Sequence, residues 1–185
     1  MSGEQPGPVF TGIVVPLPDL QPLVGPIRAR FDAAYPAVPA HVSALVPWIP
    51  PDELTEADLD GLAQLAKEWQ PFDVSFGAFG RFEIGDAEFD VHYLAPEPAE
   101  DFLTLTEDIC SVWPEYQPYE GVHDEVVPHL TLASTATDAE AAEFRRQLSA
   151  ELPIRTRATE LVVFEIRDGV ARIRRTLALG GKKRR

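Results

Sequence analysis

Two short strings of the sequence each place an imidazole and a hydroxyl two residues apart. They are His41-Val42-Ser43-Ala44 and His129-Leu130-Thr131-Leu132. Because side chains alternate between the two faces of a β-strand, each histidine should share a face with its hydroxyl while the apolar partners enter the core. Two such strands facing one another across a cleft would supply one imidazole that accepts a proton, one that donates a proton, and two hydroxyls that hold an anion.

The residues around the two strings favour strands. Each histidine follows a proline within two residues, Pro39 in the first case and Pro128 in the second, and each opens an apolar stretch. Proline is found at the first position of a strand or just before it, so both strings are placed as expected for strand starts.

An internal repeat emerges when the sequence is shifted against itself by 82 residues. The segment Phe82-Glu83-Ile84 then falls on Phe164-Glu165-Ile166, and Thr55 falls on Thr137. Both threonines precede helical patterns with an acid at the third helical position, as in a capping box. The alternative is a chance resemblance between two amphipathic stretches.

We interpret the repeat as two similar lobes, each containing a histidine strand, a helix and then a pair of strands. An approximate two-fold axis would bring His41 and His129 together. The expected fold class is α+β, with two antiparallel sheets, helices on the outside and a central cleft. Residues 1–180 are expected to form one bilobed domain, followed by a basic tail at 181–185.

Hydrophobic periodicity predicts the elements that position these motifs. A helix over 20–31 should be kinked at Gly25-Pro26. The segment 114–126 has no clear period and precedes the second motif, so it is expected to cover the cleft. Strands are predicted at 10–17, 41–47, 72–76, 80–84, 89–94, 130–133, 161–166 and 171–177, and further helices at 55–69, 99–113 and 138–152.

The paired motifs resemble those of the 2H phosphoesterase superfamily, which includes bacterial 2'-5' RNA ligases and 2',3'-cyclic nucleotide phosphodiesterases. The resemblance covers roughly residues 9–179, although only the histidine motifs are specific to the chemistry. It implies hydrolysis of 2',3'-cyclic phosphates to 2'-phosphates, with reversible 2'-5' ligation in the opposite direction. Ser43 stands where threonine is commoner in the family, which keeps the hydroxyl but loses a β-branch that stiffens the side chain.

The resemblance also implies roles for the four motif residues. His129 would activate water and His41 would protonate the departing ribose oxygen. Ser43 and Thr131 would bond the non-bridging phosphate oxygens as negative charge builds.

The net charge limits the substrate. The chain carries a formal charge of −14, and without Lys182-Lys183-Arg184-Arg185 it would carry −18. Long nucleic acids are usually held in a basic groove, so duplex DNA is not an expected partner. A small cyclic nucleotide or a short RNA end, bound by a monomer, fits better. The basic tail is expected to be solvated.

The remaining composition points to a cytoplasmic protein. The single cysteine, Cys110, cannot form an internal disulfide, which favours a reducing compartment. No segment approaches 18 consecutive apolar residues, and residues 1–8 lack the pattern of a signal peptide.

Other polar and aromatic residues have both a functional and a structural interpretation. Tyr93, Tyr116, Tyr119 and Trp48 could stack a nucleobase or pack in the core. Arg81 and Arg174 are candidate phosphate ligands. Of these, Tyr93, Tyr119 and Arg81 are taken as candidate substrate-binding residues. His92 could lie at the cleft edge or on the surface, and His123 is expected in a solvated loop.

A zinc enzyme is the chemical alternative, with His41, His129 and a nearby aspartate as ligands. The sequence has no His-x-x-x-His motif and no cysteine pair, and hydroxyl side chains are poor zinc ligands, so we expect no cofactor. Outside enzymes, the alternative is a module that binds nucleotides or RNA ends without turnover. Largely neutral imidazoles favour catalysis, because Lys or Arg would bind phosphate better at pH 7.

Overall fold

A computed structural model describes residues 7–33, 38–85, 87–122 and 125–180. The predicted tail at 181–185 and His123 lie outside the described residues. Within them, strands and helices follow in the order β1 (Phe10–Pro16), α1 (Gln21–Phe31), β2 (His41–Leu45), α2 (Glu56–Glu68), β3 (Phe72–Phe82), β4 (Val91–Glu97), α3 (Glu100–Val112), β5 (Leu130–Ala133), α4 (Asp138–Ser149), β6 (Ile154–Ala158), β7 (Glu160–Arg167) and β8 (Val170–Ala178).

The strands form two four-stranded antiparallel sheets, ordered β2-β1-β7-β8 and β5-β4-β3-β6. Each histidine motif therefore lies on an edge strand of its sheet. The two edges meet, because Cα atoms of β2 and β5 approach within 8 Å. Helix α3 packs on β2 and α1 packs on β5. This arrangement confirms the predicted fold class.

The two-fold relation is visible in the strand register. Val14 of β1 pairs with Ser43, and Tyr93 of β4 pairs with Thr131. Strands β1 and β4 are therefore equivalent: each places one residue directly beside the hydroxyl residue of a motif strand. Paired residues share a face of the sheet, so Val14 and Tyr93 lie on the faces that carry the histidines.

One detail of the predicted lobes is wrong. The pair of strands that follows each histidine strand was expected in the same lobe, but β3 and β4 follow β2 and join the sheet of β5. Conversely, β7 and β8 follow β5 and pair beside β1. The sequence repeat reflects local patterns that are shared by the segments around Phe82 and Phe164. Such patterns do not determine which edge of a sheet each strand joins.

Capping boxes begin the two equivalent helices, as predicted. The Thr55 side chain accepts a hydrogen bond from the Asp58 backbone N–H, and the Asp58 carboxylate accepts one from the Thr55 backbone N–H. Thr137 and Glu140 repeat the arrangement at α4. Each box satisfies two backbone donors that the first turn would leave unpaired, typically stabilising a helix by about 1 kcal/mol.

Besides small shifts at the ends of helices and strands, three elements differ from the sequence prediction. Helix α1 does not restart at Gly25-Pro26: it is one helix from Gln21 to Phe31 with Pro26 inside it. Strand β3 is unbroken because a bulge between Phe76 and Ala78 absorbs the glycine at 77. Strand β6 was not predicted, because three of its first four residues, Arg155, Thr156 and Arg157, are polar and leave no apolar alternation.

Two apolar clusters stabilise the fold. The larger lies between the sheets and their helices and contains Leu94, Phe76 and Trp48. The smaller lies on the face of the first sheet that carries His41 and includes Val14, Val162 and Phe164. Within the part of the chain described, no helix combines the length and the apolar character needed to cross a membrane.

Candidate active site

The predicted alternation along both motif strands is observed. Val42, Ala44, Leu130 and Leu132 are buried. The histidines and hydroxyls between them are only partly buried. The apolar partners therefore fix each strand to the core, while four polar side chains remain accessible at the meeting edges of the two sheets.

Both imidazoles are held in the same way by backbone carbonyls. Nδ1 of His41 lies 2.6 Å from the Pro39 carbonyl oxygen, and Nδ1 of His129 lies 2.8 Å from the Val127 carbonyl oxygen. A carbonyl oxygen can only accept, so each Nδ1 is the donor. In the neutral ring this leaves the lone pair on Nε2, the nitrogen available to take up or release a proton.

Helix α1 holds the backbone that leads into His41. The Gln21 side-chain oxygen accepts a hydrogen bond from the Ala40 N–H at 2.8 Å, and Arg28 Nη2 donates to the Val38 carbonyl at 3.0 Å. Arg28 also pairs with Asp32 at 2.6 Å, and both side chains are almost completely buried. This buried ion pair therefore anchors the segment whose carbonyl orients the first imidazole.

Aromatic rings enclose His129. Phe82 meets it edge-on with ring centroids 4.9 Å apart, Tyr93 is tilted at 5.3 Å, and Tyr119 lies nearly parallel at 6.5 Å. Tyr93 in turn stacks on Phe82. A Cβ at Gly80 would lie 2.1 Å from the Tyr93 ring, so glycine is required at that position for the ring to lie there.

Burial shifts both imidazoles toward the neutral form. Mainly because of desolvation, the pKa of His41 falls to about 4, opposed by its bond to Pro39 and assisted by the Arg28 guanidinium. The pKa of His129 is also lowered by burial and is partly restored by its bond to Val127. The charge of His129 contributes to the shift at His41, so the two rings act on one another electrostatically.

Within the segment 114–126 that was expected to cover the cleft, Tyr119 lies against the site. The Tyr119 N–H donates to the Val46 carbonyl at 2.9 Å, which ties this segment to the end of β2. Tyr119 and Glu120 both adopt left-handed backbone conformations, with φ of 53° and 56°. Such conformations cost of order 1 kcal/mol or more in non-glycine residues and are concentrated at functional sites.

The Tyr119 hydroxyl reaches the first motif. Burial raises the pKa of this phenol, and a hydrogen bond to the Ser43 side chain opposes that rise. Tyr119 therefore touches both halves of the site, with its ring beside His129 and its hydroxyl on Ser43. A pocket of about 840 Å³ opens beside it and is lined by residues that include His129, Thr131 and Phe82.

Arg81 lies at the margin of this pocket. Its guanidinium is shared by Asp90 at 2.7 Å, Asp138 at 3.4 Å and Glu83 at 3.6 Å. Arg174 is paired with Glu165 at 2.6 Å. Either arginine would have to exchange a carboxylate before it could bind phosphate.

The other candidates occupy structural positions. His92 is neither at the cleft nor on the surface: it is buried, and its Nδ1 lies 3.1 Å from Arg145 Nη2. Trp48 is buried edge-on against Trp113. Cys110 is half-buried in α3, in line with a structural thiol. Among the described residues, His, Cys, Asp and Glu side chains form no group of three or more able to hold a metal ion.

The sequence did not identify Gln21, Arg28 and Phe82 as part of the site. Gln21 and Arg28 bond to backbone groups that lie further along the chain, and no sequence pattern predicts such contacts. For Phe82 a signal existed, because a glycine two residues away on the same strand face is typical of close ring packing.

Comparison with known proteins identifies the sequence family of the chain and solved structures that share its fold. The model of the 2'-5' RNA ligase superfamily matches residues 16–170. Proteins of Bacillus licheniformis and Bacillus cytotoxicus, both named as phosphoesterases, are each 29% identical to the chain. The first match covers 71% of this chain and 75% of the relative, and the second covers 74% and 76%.

Two solved structures share the fold. TT0787 of Thermus thermophilus superposes with a TM-score of 0.62 at 18% identity, covering 94% of this chain and 100% of its own. LigT of E. coli in its apo form gives 0.58 at 17% identity, covering 96% and 100%. Since the family match spans most of the sequence and includes both histidine motifs, the chain belongs to the 2'-5' RNA ligase superfamily of 2H phosphoesterases.

Proposed function

We propose that this protein is a metal-independent phosphodiesterase that hydrolyses 2',3'-cyclic phosphates of nucleotides or short RNA ends to 2'-phosphates. One observation carries the proposal: two imidazoles, each fixed through Nδ1 by a backbone carbonyl, lie at the starts of neighbouring edge strands, each with a hydroxyl two residues on. An acid and a base on opposite sides of a phosphate are what an in-line displacement requires.

The reaction needs two proton transfers. A neutral Nε2 takes a proton from water as the water oxygen bonds to phosphorus, and the bond from phosphorus to the ribose 3'-oxygen breaks. The other imidazolium gives its proton to that departing oxygen, leaving a 2'-phosphate. Ser43 and Thr131 donate hydrogen bonds to the non-bridging oxygens, where negative charge accumulates. When an RNA 5'-hydroxyl takes the place of water, it gives its proton to the same base, its oxygen bonds to phosphorus as the bond to the 3'-oxygen breaks, and the product is a 2'-5' linkage.

The surroundings of the two imidazoles favour His41 as the base and His129 as the acid. The buried Arg28 guanidinium acts unfavourably on a protonated His41. The Tyr93 ring centroid lies 5.3 Å from that of His129, close enough for a cation–π contact with a protonated imidazole. Among the described residues, no arginine is one of the groups that lower the pKa of His129. This assignment is the reverse of the one that the family resemblance implies.

Comparison proteins add support for a small nucleotide substrate. LigT of E. coli has been solved with 3'-AMP, ATP and NADP⁺. The formal charge of −14 also disfavours long RNA as a substrate, since long nucleic acids are usually held in a basic groove. We therefore propose a cyclic mononucleotide or a short RNA end as substrate, bound by a monomer in the cytoplasm.

A product assay tests the proposal. Purified protein is incubated with the four 2',3'-cyclic mononucleotides, before and after exhaustive EDTA treatment, and 2'- and 3'-phosphates are resolved chromatographically. We expect 2'-phosphates at an unchanged rate after chelation. Formation of 3'-phosphates, or activity lost to EDTA and restored by Zn²⁺ or Mn²⁺, would overturn it. Nucleotide binding without turnover would favour the non-catalytic binding module.

A further inference from the structure

A second pocket of about 850 Å³ adjoins the candidate active site. Tyr119 lines both pockets, and Val46, which follows the His41 strand directly, lines the second one. A ligand held between His41 and His129 therefore has two neighbouring volumes into which its remaining atoms can extend.

The second pocket combines aromatic walls with acidic groups. Tyr116 and Tyr119 contribute partly exposed rings, Trp48 contributes only the small part of its ring that is not buried, and the exposed Glu115 and Glu120 contribute carboxylates. No lysine or arginine lines it among the described residues. The local field is negative enough to affect Tyr116, whose pKa is raised by burial first and then by nearby carboxylates that include Glu53 and Glu115.

The composition of this pocket disfavours a second phosphate and favours a flat ring that carries amino groups. A second phosphate would be repelled by the two carboxylates, with no cationic side chain among the described lining residues to offset them. A flat ring would gain contact area against aromatic walls, and amino groups on that ring would donate hydrogen bonds to the carboxylates. The volume lies within the range of small-molecule sites.

We propose that the pocket bounded by Trp48, Tyr116, Glu115 and Glu120 binds the nucleobase of the substrate and selects bases that carry an exocyclic amine. The proposal rests on the cyclic phosphodiesterase function proposed above and names the substrate class of that site. Cytosine and uracil form the sharpest test, since they are of equal size and differ by an amine or a carbonyl oxygen at C4. The cytosine amine donates to a carboxylate, whereas the uracil oxygen repels it.

Steady-state hydrolysis of 2',3'-cyclic CMP and 2',3'-cyclic UMP measures the selection. For the unmodified protein we expect kcat/KM to favour the cytidine substrate about five- to tenfold, with the difference in KM, since one charge-assisted hydrogen bond is at stake in a partly open pocket. In the double variant Glu115→Gln with Glu120→Gln the preference should fall below about twofold, because an amide can both donate and accept.

A control for the loss of an acidic side chain is Glu107→Gln, at an exposed position of α3 outside the pocket. It should keep the full preference for cytidine. Equal KM values for the two substrates in the unmodified protein, or an unchanged preference in the double variant, would overturn the base-pocket proposal and leave the hydrolase standing. Absence of hydrolysis for every cyclic nucleotide would instead overturn the proposed function itself.

Discussion

The surroundings of His41 and His129 differ, although the strands that carry them are equivalent. Ahead of His41, polar and charged groups of α1 hold the backbone, and Arg28 places a buried cation nearby. Around His129, three aromatic rings replace those groups. A duplicated site becomes asymmetric in this way: the reacting groups stay the same, burial lowers the pKa of both imidazoles, and the Arg28 guanidinium lowers that of His41 further.

Helix α1 joins the two regions. Besides anchoring the approach to His41, its last residue contacts the turn after β5, because the Phe31 carbonyl accepts hydrogen bonds from Ser134 N–H at 2.7 Å and Thr135 N–H at 3.0 Å. One helix therefore fixes the position of both motif strands relative to each other. Acid–base catalysis on a single phosphate depends on that spacing.

The largest expected effect comes from removing either imidazole. His41→Ala and His129→Ala should each lower kcat/KM by about 10² to 10⁴-fold, the usual contribution of positioned proton transfer. A cyclic phosphodiester with a strongly acidic leaving group needs no proton donor. Such a substrate should restore most of the activity of His129→Ala and little of that of His41→Ala.

The opposite rescue would reverse the assignment of acid and base. It would also show that the family resemblance predicts the roles better than Arg28 and the aromatic rings do. Near-normal turnover by both single variants on ordinary substrates would exclude the pair as the catalytic centre.

The next effect concerns the buried ion pair beside His41. Removing one partner alone would leave an uncompensated buried charge, so the informative variant is Arg28→Met with Asp32→Asn. Loss of the bond to the Val38 carbonyl should lower kcat by about tenfold or more, as small displacements of catalytic groups do. Since Arg28 lowers the pKa of His41 more than Asp32 raises it, the acidic limb of the pH profile should move to higher pH.

Arg30→Met provides the control on the same helix. Arg30 is exposed and pairs with Glu140, away from the approach to His41. Its replacement should leave kcat and the pH profile unchanged. If the double variant showed reduced stability but an unshifted acidic limb, the ion pair would have a structural role only.

Much of this fold could be predicted because its signals are local. The capping boxes at Thr55 and Thr137 and the alternation around His41 and His129 are short patterns with direct physical meaning. The asymmetry could not be predicted, since it depends on contacts such as Arg28 with Val38 and Tyr119 with Ser43. The exchange of β3 and β7 between sheets also escaped prediction, because equivalent strands can pair with either edge that the chain can reach.

A smaller effect tests whether Tyr119 acts through Ser43. Tyr119→Phe and Ser43→Ala each remove one hydrogen-bonding partner and should each lower kcat/KM by about tenfold. Because the two hydroxyls bond to one another, the double variant should lose little more than either single variant. Tyr119→Phe combined with Thr131→Ala should instead show additive losses in steady-state kinetics. Additivity in both pairs would mean that the Tyr119 hydroxyl acts independently of Ser43.

The smallest expected effect is on the free energy of unfolding. Its pH dependence allows the two imidazoles to be compared without substrate. His41 has a pKa of about 4 in the folded protein and 6.5 in the unfolded chain. As the pH falls from 6.5 toward 4, the unfolded chain binds a proton that the native state does not, so the free energy of unfolding decreases. With the discount for partial exposure, the loss is about 1 to 3 kcal/mol.

Urea titrations at pH 7.5, 6 and 5 measure this loss. His41→Asn should remove part of the decrease. His129→Asn should remove less, because burial shifts the pKa of His129 in the same direction but not as far. Carboxylates with lowered pKa, such as Glu165, lose their stabilising effect only as the pH falls below about 4.5, outside this window. Parallel pH curves for the unmodified protein and His41→Asn would contradict a lowered pKa at His41, and with it the difference drawn between the two halves of the site.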